Sequence, residues 1–181
     1  MPPRPAPLPQ QETQSPAVED ASDQTVSGAL GALEKLLESH GVTDSQVIRR
    51  ASNGDLGGLN DGQKSVVAQW YAEQCGLHPS DVAVIALQGR CVPYVKAAGV
   101  MRFARDRYKS LDHETPIIQS HGSRAFVTVF ASVDMSDGRK VRDFASRPLT
   151  DHNSIMACST AATVRVLRIA VGIPIPSEGE I

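Results

Sequence analysis

The chain has 181 residues, of which 41% are apolar and 4% aromatic, with 18 Lys and Arg against 20 Asp and Glu. This length and composition predict one modest domain with its own core. No apolar run is long enough for a membrane helix, and the first residues lack the apolar stretch of a secretory signal. We therefore expect a soluble, cytoplasmic protein with no membrane partner.

Charge is distributed unevenly along the chain. Residues 1–89 carry five basic and eleven acidic side chains, a net charge of −6, whereas residues 90–168 carry thirteen basic and seven acidic ones, a net charge of +6. A basic segment of this kind predicts a local surface for a polyanion, although clustered solvated charges produce the same pattern. The acidic first half is a candidate surface for a protein partner.

Cysteine and histidine spacing indicates no metal site. Cys75, Cys91 and Cys158 form no C-x-x-C pair, and the five histidines are scattered along the chain. Neither a disulfide framework nor a zinc site is expected, and the thiols are predicted to be buried and reduced. We expect no cofactor.

The first part of the chain divides into a tail and a helical segment. Residues 1–24 are rich in proline and lack aromatic residues, which predicts a disordered tail. Leucine spacing from Ser27 predicts a short amphipathic helix that ends at Gly41, and a second helix follows over about 44–51. Residues 25–58 are therefore interpreted as an N-terminal helical segment.

A glycine-rich stretch follows this segment. Residues 52–62 contain four glycines and predict a flexible joint, after which Asn60 or Asp61 caps a helix that runs to Cys75. Residues 57–65 nearly spell a phosphate loop, but Gln63 precedes the lysine and no strand comes before it. Nucleotide binding is not expected there.

The rest of the chain predicts an α+β fold. A hairpin with Gln88-Gly89-Arg90 as its link, a helix, a three-stranded meander and a closing helix together make a small antiparallel sheet packed on helices, with a β-β-β-α core. The expected ranges are Val82–Leu87, Cys91–Val95, Ala97–Lys109, 115–120, 124–133, 139–145 and 153–171, with a C-terminal tail over 174–181.

The strand over 125–133 alternates in a way that bears on function. Its odd positions are all apolar and are expected to face the core, while Phe126 and Phe130 lie on the second face. Cover by another subunit or segment is one explanation, and a surface on which flat groups stack is the other. The next strand places Lys140, Arg142 and Phe144 on one face.

Two helices carry further candidate cations. Arg102, Arg105 and Lys109 lie along one flank of the predicted helix over 97–109, where a solvated face is the ordinary explanation. In the closing helix, Arg165 and Arg168 share a face with a floor of small residues that lets another backbone or ligand approach closely: Cys158, Ala161 and Ala162.

Catalytic constellations are weak. Asp134, Asp137 and Asp143 belong to one hairpin, and only Asp137 has an evident role, as a turn former. No G-x-S-x-G nucleophile elbow is present. The sequence is therefore not expected to encode an enzyme, and no catalytic or metal residues are assigned.

Several short stretches resemble a known family. They are Leu59–Gln63, Cys75–Pro79, Val84–Ala86, Tyr94–Val100 and Ser159–Gly172. They resemble the RecT/Redβ and DdrA-like single-strand annealing proteins of the Rad-fifty-two-like superfamily, by a pattern with loose spacing that covers Leu59 to Ile173. The resemblance implies an annealing core over 59–173. Cys158-Ser159 replaces the usual acidic or polar residue, and the N-terminal helices have no clear counterpart.

The resemblance also implies a function. It implies ATP-independent binding and annealing of single-stranded DNA in recombination or repair, by a ring or helical filament in a prokaryotic or phage-infected cell. Arg165 and Arg168 would contact phosphates in an inner groove that copies of the closing helix line, with Lys96, Lys140 and Arg142 as weaker contributors. The basic flank of Arg102 and Arg105 completes the predicted DNA-binding set.

Two other classes of function remain open at this point. A structural or adaptor oligomer of a phage or mobile element would use the apolar sheet face for self-assembly and would ignore DNA. A metal-dependent nuclease would use the hairpin acids Asp134, Asp137 and Asp143, and would cut DNA in magnesium.

Overall fold

The computed structural model describes residues 31–177, which form an α+β fold of helices and two small antiparallel sheets. The expected tail over 1–24, the start of the N-terminal helical segment and residues 178–181 lie outside the described part. The described helices are α1 (31–39), α2 (Ser45–Ser52), α3 (Asp61–Gln74), α4 (Ala97–Ala104) and α5 (Ser154–Val171), with a 3₁₀ turn at Pro79–Asp81. The strands are β1 (Val82–Leu87), β2 (Arg90–Val95), β3 (Tyr108–His113), β4 (Ile117–His121), β5 (Arg124–Met135) and β6 (Lys140–Pro148).

β1 and β2 form the predicted hairpin as a two-stranded sheet of their own. Its two-residue turn places both Gln88 and Gly89 at positive φ, 49° and 79°. Two successive left-handed residues give a turn whose twist matches that of the flanking strands. The predicted hairpin was therefore found in the expected place, although Arg90 of the predicted link already belongs to β2.

The second sheet is organised around β5. This twelve-residue strand pairs with β6 along one edge, over Phe126 to Asp134. On the other edge, its first half pairs with β4 and its second half with β3, all antiparallel. β5 is therefore the central strand of the sheet. β6 lies along one of its edges, and β3 and β4 lie end to end along the other.

The main core lies between this sheet and α5. Val127, Val129 and Val133 of β5 are buried, as the alternation predicted, and α5 packs across β5 and β6. At the tightest point the Cys158 thiol donates to the Ala145 carbonyl at 3.1 Å. Gly172, in the left-handed region at φ 74°, ends the helix where the sequence placed its stop.

Part of the predicted helix over 97–109 is wrong. α4 ends at Ala104, and Tyr108–His113 forms β3, a strand that helical spacing did not reveal. Tyr108 pairs with Met135 and Leu111 with Val133, so ladder hydrogen bonds and burial against β5 override the local pattern. Lys109 consequently lies in a strand and not on a helix flank.

The predicted flexible joint over 52–62 is packed. Leu56 and Leu59 are buried in a second apolar cluster with Leu33 and Leu37 of α1. The Asn60 side chain accepts a hydrogen bond from the Gln63 N–H, and the Gln63 side chain accepts one from the Asn60 N–H. The stretch that nearly spells a phosphate loop is therefore a capping box at the start of α3.

α3 joins the two clusters. Val67 belongs to the cluster of the N-terminal helices, whereas Ala68 and Ala72 belong to the main core. Of the described helices, only α5 has the length and hydropathy of a membrane span, and half of that stretch is buried within the protein. Burial in a core accounts for such a composition.

Candidate functional site

One face of the larger sheet is turned away from α5. We call it the open face. Direct cross-strand pairing fixes its members, because residues opposite each other in antiparallel strands lie on the same side. It consists of Arg124, Phe126, Thr128, Phe130, Ser132 and Asp134 of β5, Lys140, Arg142, Phe144 and Ser146 of β6, Ile117, Gln119 and His121 of β4, and Ser110 and Asp112 of β3.

Aromatic rings occupy the middle of the open face. Phe130 and Phe144 are directly opposed on β5 and β6, with ring centroids 5.4 Å apart and planes tilted by 42°. His121 contacts the edge of Phe126, with centroids 6.1 Å apart. Phe144 is 45% exposed, and Ile117 beside them is 44% exposed. This strip is therefore apolar and partly accessible to solvent, with Phe126 and Phe130 half-buried.

The open face carries cations that are already paired. Arg142 lies over the Phe130 ring, with Cζ 4.3 Å from the centroid, and its Nε and a terminal nitrogen donate to Glu114 at 2.7 and 3.0 Å. Lys140 contacts Asp134 at 3.1 Å. The charges are therefore balanced, because Arg124, Lys140 and Arg142 of the open face are matched by its Asp112 and Asp134 together with Glu114, which directly follows β3.

Arg165 and Arg168 lie on the other side of the sheet. Arg165 Nε donates to Asp143 at 2.9 Å, and its side chain is 31% exposed. Arg168 donates to the Ile173 carbonyl beyond the helix end at 2.9 Å. Asp143 pairs with Ala131 and so belongs to the α5 side of β6. The two arginines therefore approach from the α5 side, away from Lys140 and Arg142, although the Arg165 Cζ reaches to 5.9 Å from the centroid of the Phe144 ring.

The floor of small residues predicted beside these arginines is not available to a ligand. Cys158, Ala161 and Ala162 are buried in the main core. Their small size lets α5 approach the sheet closely, which explains the pattern without an external partner. Of the two partners expected at this floor, another backbone or a ligand, the chain's own sheet is the one that approaches, and it leaves no room for a ligand.

Lys96, Arg102 and Arg105 lie at a third location, around α4. The Lys96 amino group donates to the Ser80 carbonyl at 2.8 Å. Arg102 donates to both oxygens of Asp81 at 2.9 Å, and the Asp81 side chain is only 6% exposed. Arg105 forms the exposed end of α4. Nearby, a groove of about 370 Å³ runs between the end of α3 and α4.

The hairpin acids do not come together. Asp134 pairs with Lys140, Asp137 with the backbone and side chain of Arg139, and Asp143 with Arg165. Asp134 faces the open face, whereas Asp143 faces α5. Among residues 31–177, no group of three or more His, Cys, Asp or Glu side chains is arranged to hold a metal ion.

Sequence reasoning missed Glu114 and His121 as members of this region. Both belong to segments that approach β5 only through pairing, since Glu114 N–H donates to the Phe130 carbonyl and His121 pairs with Arg124. Alternation within β5 predicted which of its own residues face outward. It carried no information about the partner strands.

Comparison with known proteins adds no identification. No protein-family model matches the sequence, and no curated protein matches it.

Proposed function

We propose that this protein binds single-stranded DNA on the open face and, as an oligomer, anneals complementary strands without ATP. The observation that carries the proposal is the aromatic strip of Phe126, Phe130 and Phe144, in which Phe144 is exposed and the other two rings are half-buried, with Arg142 beside it. Aromatic rings on a sheet face, flanked by cations, offer what an extended strand needs: π-faces for its bases and donors for its phosphates. Recombination or repair in the cytoplasm of a prokaryotic or phage-infected cell remains the setting that the sequence resemblance favours.

Stacking changes how the strand is expected to lie. The sequence-based expectation had arginines holding the backbone with the bases outward. On the open face the bases would instead rest on the phenylalanine rings, each worth about 1–3 kcal/mol per stacked base. A stacked base uses its π-face and leaves its pairing edge accessible, so a second strand can still be tested for complementarity.

The direct test is binding of a labelled oligothymidylate, followed by fluorescence anisotropy. Phe144→Ala, which truncates the most exposed ring of the strip, is expected to weaken binding by roughly 5- to 150-fold, the loss of about one stacking contact. Met156→Ala is the matched control, because Met156 is 72% exposed on α5 and lies off the open face. If both variants bind the oligonucleotide as tightly as the unaltered protein, the aromatic strip is not the binding surface.

Annealing is tested separately with two complementary labelled strands in the absence of ATP and of divalent metal. We expect the protein to accelerate duplex formation and Phe144→Ala to lose that acceleration. A protein that binds single strands but never accelerates pairing would be a binding module and not an annealing protein.

The same strip also favours a second candidate, a structural or adaptor oligomer. Ile117 and Phe144 are exposed apolar residues on a face that a second copy would cover. Sedimentation of the protein without DNA separates the two candidates. An oligomer that Phe144→Ala dissociates, and that ignores oligonucleotides, would identify the strip as an assembly surface.

A further inference from the structure

Glu114 is placed to control access to the open face. It follows β3 on one side of β5, whereas Arg142 lies on β6 at the opposite side. Two hydrogen bonds, of 2.7 and 3.0 Å, join the carboxylate to the guanidinium group. The ion pair therefore spans the central strand from one edge to the other.

The bridge lies over the surface where a base would stack. Arg142 Cζ is 4.3 Å from the centroid of Phe130, which in turn lies 5.4 Å from the centroid of Phe144. A guanidinium group held over one face of a ring excludes a base from that face. The bidentate contact with Glu114 fixes it there, since it restricts rotation about the end of the arginine side chain.

The bridge is nevertheless easy to open. The two side chains are 55% and 51% exposed, so solvent screens their attraction, and exposed pairs of this kind are weak. Hydrogen bonds from Arg142 hold the pKa of Glu114 below its ordinary value, so the carboxylate is charged near neutrality. A phosphate carries the same charge and offers the same geometry to a guanidinium group.

We propose that Glu114 is an internal competitor for phosphate at Arg142, so that a strand must displace its carboxylate before it gains both the guanidinium group and the Phe130 ring. This inference rests on the proposed function. It makes Glu114 a residue that sets affinity by opposing binding. The charge balance of the open face is then a device that keeps the surface closed until a polyanion competes for it.

The test is Glu114→Gln, which keeps the size of the side chain and removes its charge. We expect an oligothymidylate to bind about two- to five-fold more tightly, the range that corresponds to an exposed ion pair. Repeating the substitution with Arg142→Gln already present should abolish the gain.

Asp112→Asn is the matched control. It removes one negative charge from the same face at a position opposite Ser132, and leaves the bridge in place. A gain that is equal for Asp112→Asn and Glu114→Gln, or that persists without Arg142, would mean that general charge alone matters and would overturn the inference.

The outcomes separate this inference from the proposed function. If the unaltered protein binds and Glu114→Gln binds no better, the competitor role fails while the proposed function stands. If neither binds, both fail. If only Glu114→Gln binds, the bridge holds the open face closed, as inferred.

Discussion

Asp55 and Cys91 are joined across 36 residues of sequence, because Oδ1 of Asp55 accepts a 3.1 Å hydrogen bond from the Cys91 N–H. The other carboxylate oxygen pairs with Arg50 at 2.7 Å. One side chain thus connects α2 to the β1–β2 hairpin. The Arg50 guanidinium and the N–H groups of Gly57 and Cys91 lower the pKa of Asp55 to about 2.

Asp55→Asn is expected to lower the thermal midpoint by several degrees near neutral pH. A carboxyl group with a depressed pKa in the folded state contributes stability above its unfolded pKa, here 3.8, and loses that contribution as pH falls through about 2. Melts followed by circular dichroism should therefore show the unaltered protein converging on the variant in acid. Asp61→Asn is the control, because Asp61 is fully exposed, and its midpoint should stay nearly unchanged. A difference in thermal midpoint between Asp55→Asn and the unaltered protein that persists in strong acid would contradict this electrostatic account.

Gly99 lies where α4 meets the 3₁₀ turn, and a methyl group there would be 2.5 Å from the Asp81 Cβ. Gly99→Ala should therefore destabilise the protein by about 1–3 kcal/mol through overpacking. Gly31→Ala is the matched control, since a methyl group at Gly31 meets nothing within 4 Å in a helix, and it should stabilise by roughly 0.5–1 kcal/mol. Urea unfolding measures the free energy of unfolding of both variants. If Gly99→Ala leaves it unchanged, α4 must be able to shift away from the 3₁₀ turn at no cost.

Cys158 is expected to resist thiol reagents in the folded protein. Its side chain is fully buried, and burial raises the pKa of its thiol. Labelling with iodoacetamide followed by mass spectrometry should modify the half-buried Cys75 and Cys91 first. Cys158 should react only at the rate of global unfolding, and therefore faster in mild urea. Equal labelling of all three would contradict the packing of α5.

Arg165 and Arg168 are expected to affect stability more than DNA binding. Arg168→Met keeps the apolar stem and loses the bond to Ile173, which should cost about 1–3 kcal/mol. A double-mutant cycle with Arg165→Gln and Asp143→Asn should give a coupling energy of about 0.5–3 kcal/mol in the free energy of unfolding. Oligonucleotide affinity measured well below the melting range should stay within about two-fold, an effect below roughly 0.5 kcal/mol. A loss as large as that from Arg142→Gln would restore the inner-groove assignment.

Local signals predicted most of the fold. Three features that depend only on neighbouring residues were found where expected: the Gln88-Gly89 turn, the Asn60 cap and the alternation in β5. β3 was missed because its strand character depends on pairing with β5. The packed segment around Leu56 was missed for a similar reason, since its order comes from Asp55 and the distant Cys91.

The candidate site was predicted less well than the fold. A sequence shows which residues are cationic but not which carboxylates will neutralise them. Of the seven predicted DNA-binding residues, six form a side-chain hydrogen bond or ion pair within the chain: Lys96, Arg102, Lys140, Arg142, Arg165 and Arg168. The alternation of phenylalanines with core valines was the more reliable signal, because it depends only on strand geometry.

Alternate residues of β5 pack in the core and line the open face, so the strand cannot gain or lose a single residue without exchanging its two sides. Deleting a single residue such as Thr128 would exchange the two sides of every later position, moving Phe130 into the interior and Val129 out to solvent. The same deletion at Gly122 or Ser123 would leave the strand's frame intact. We therefore expect length changes to be tolerated at the loops that flank β5 and to abolish folding within it.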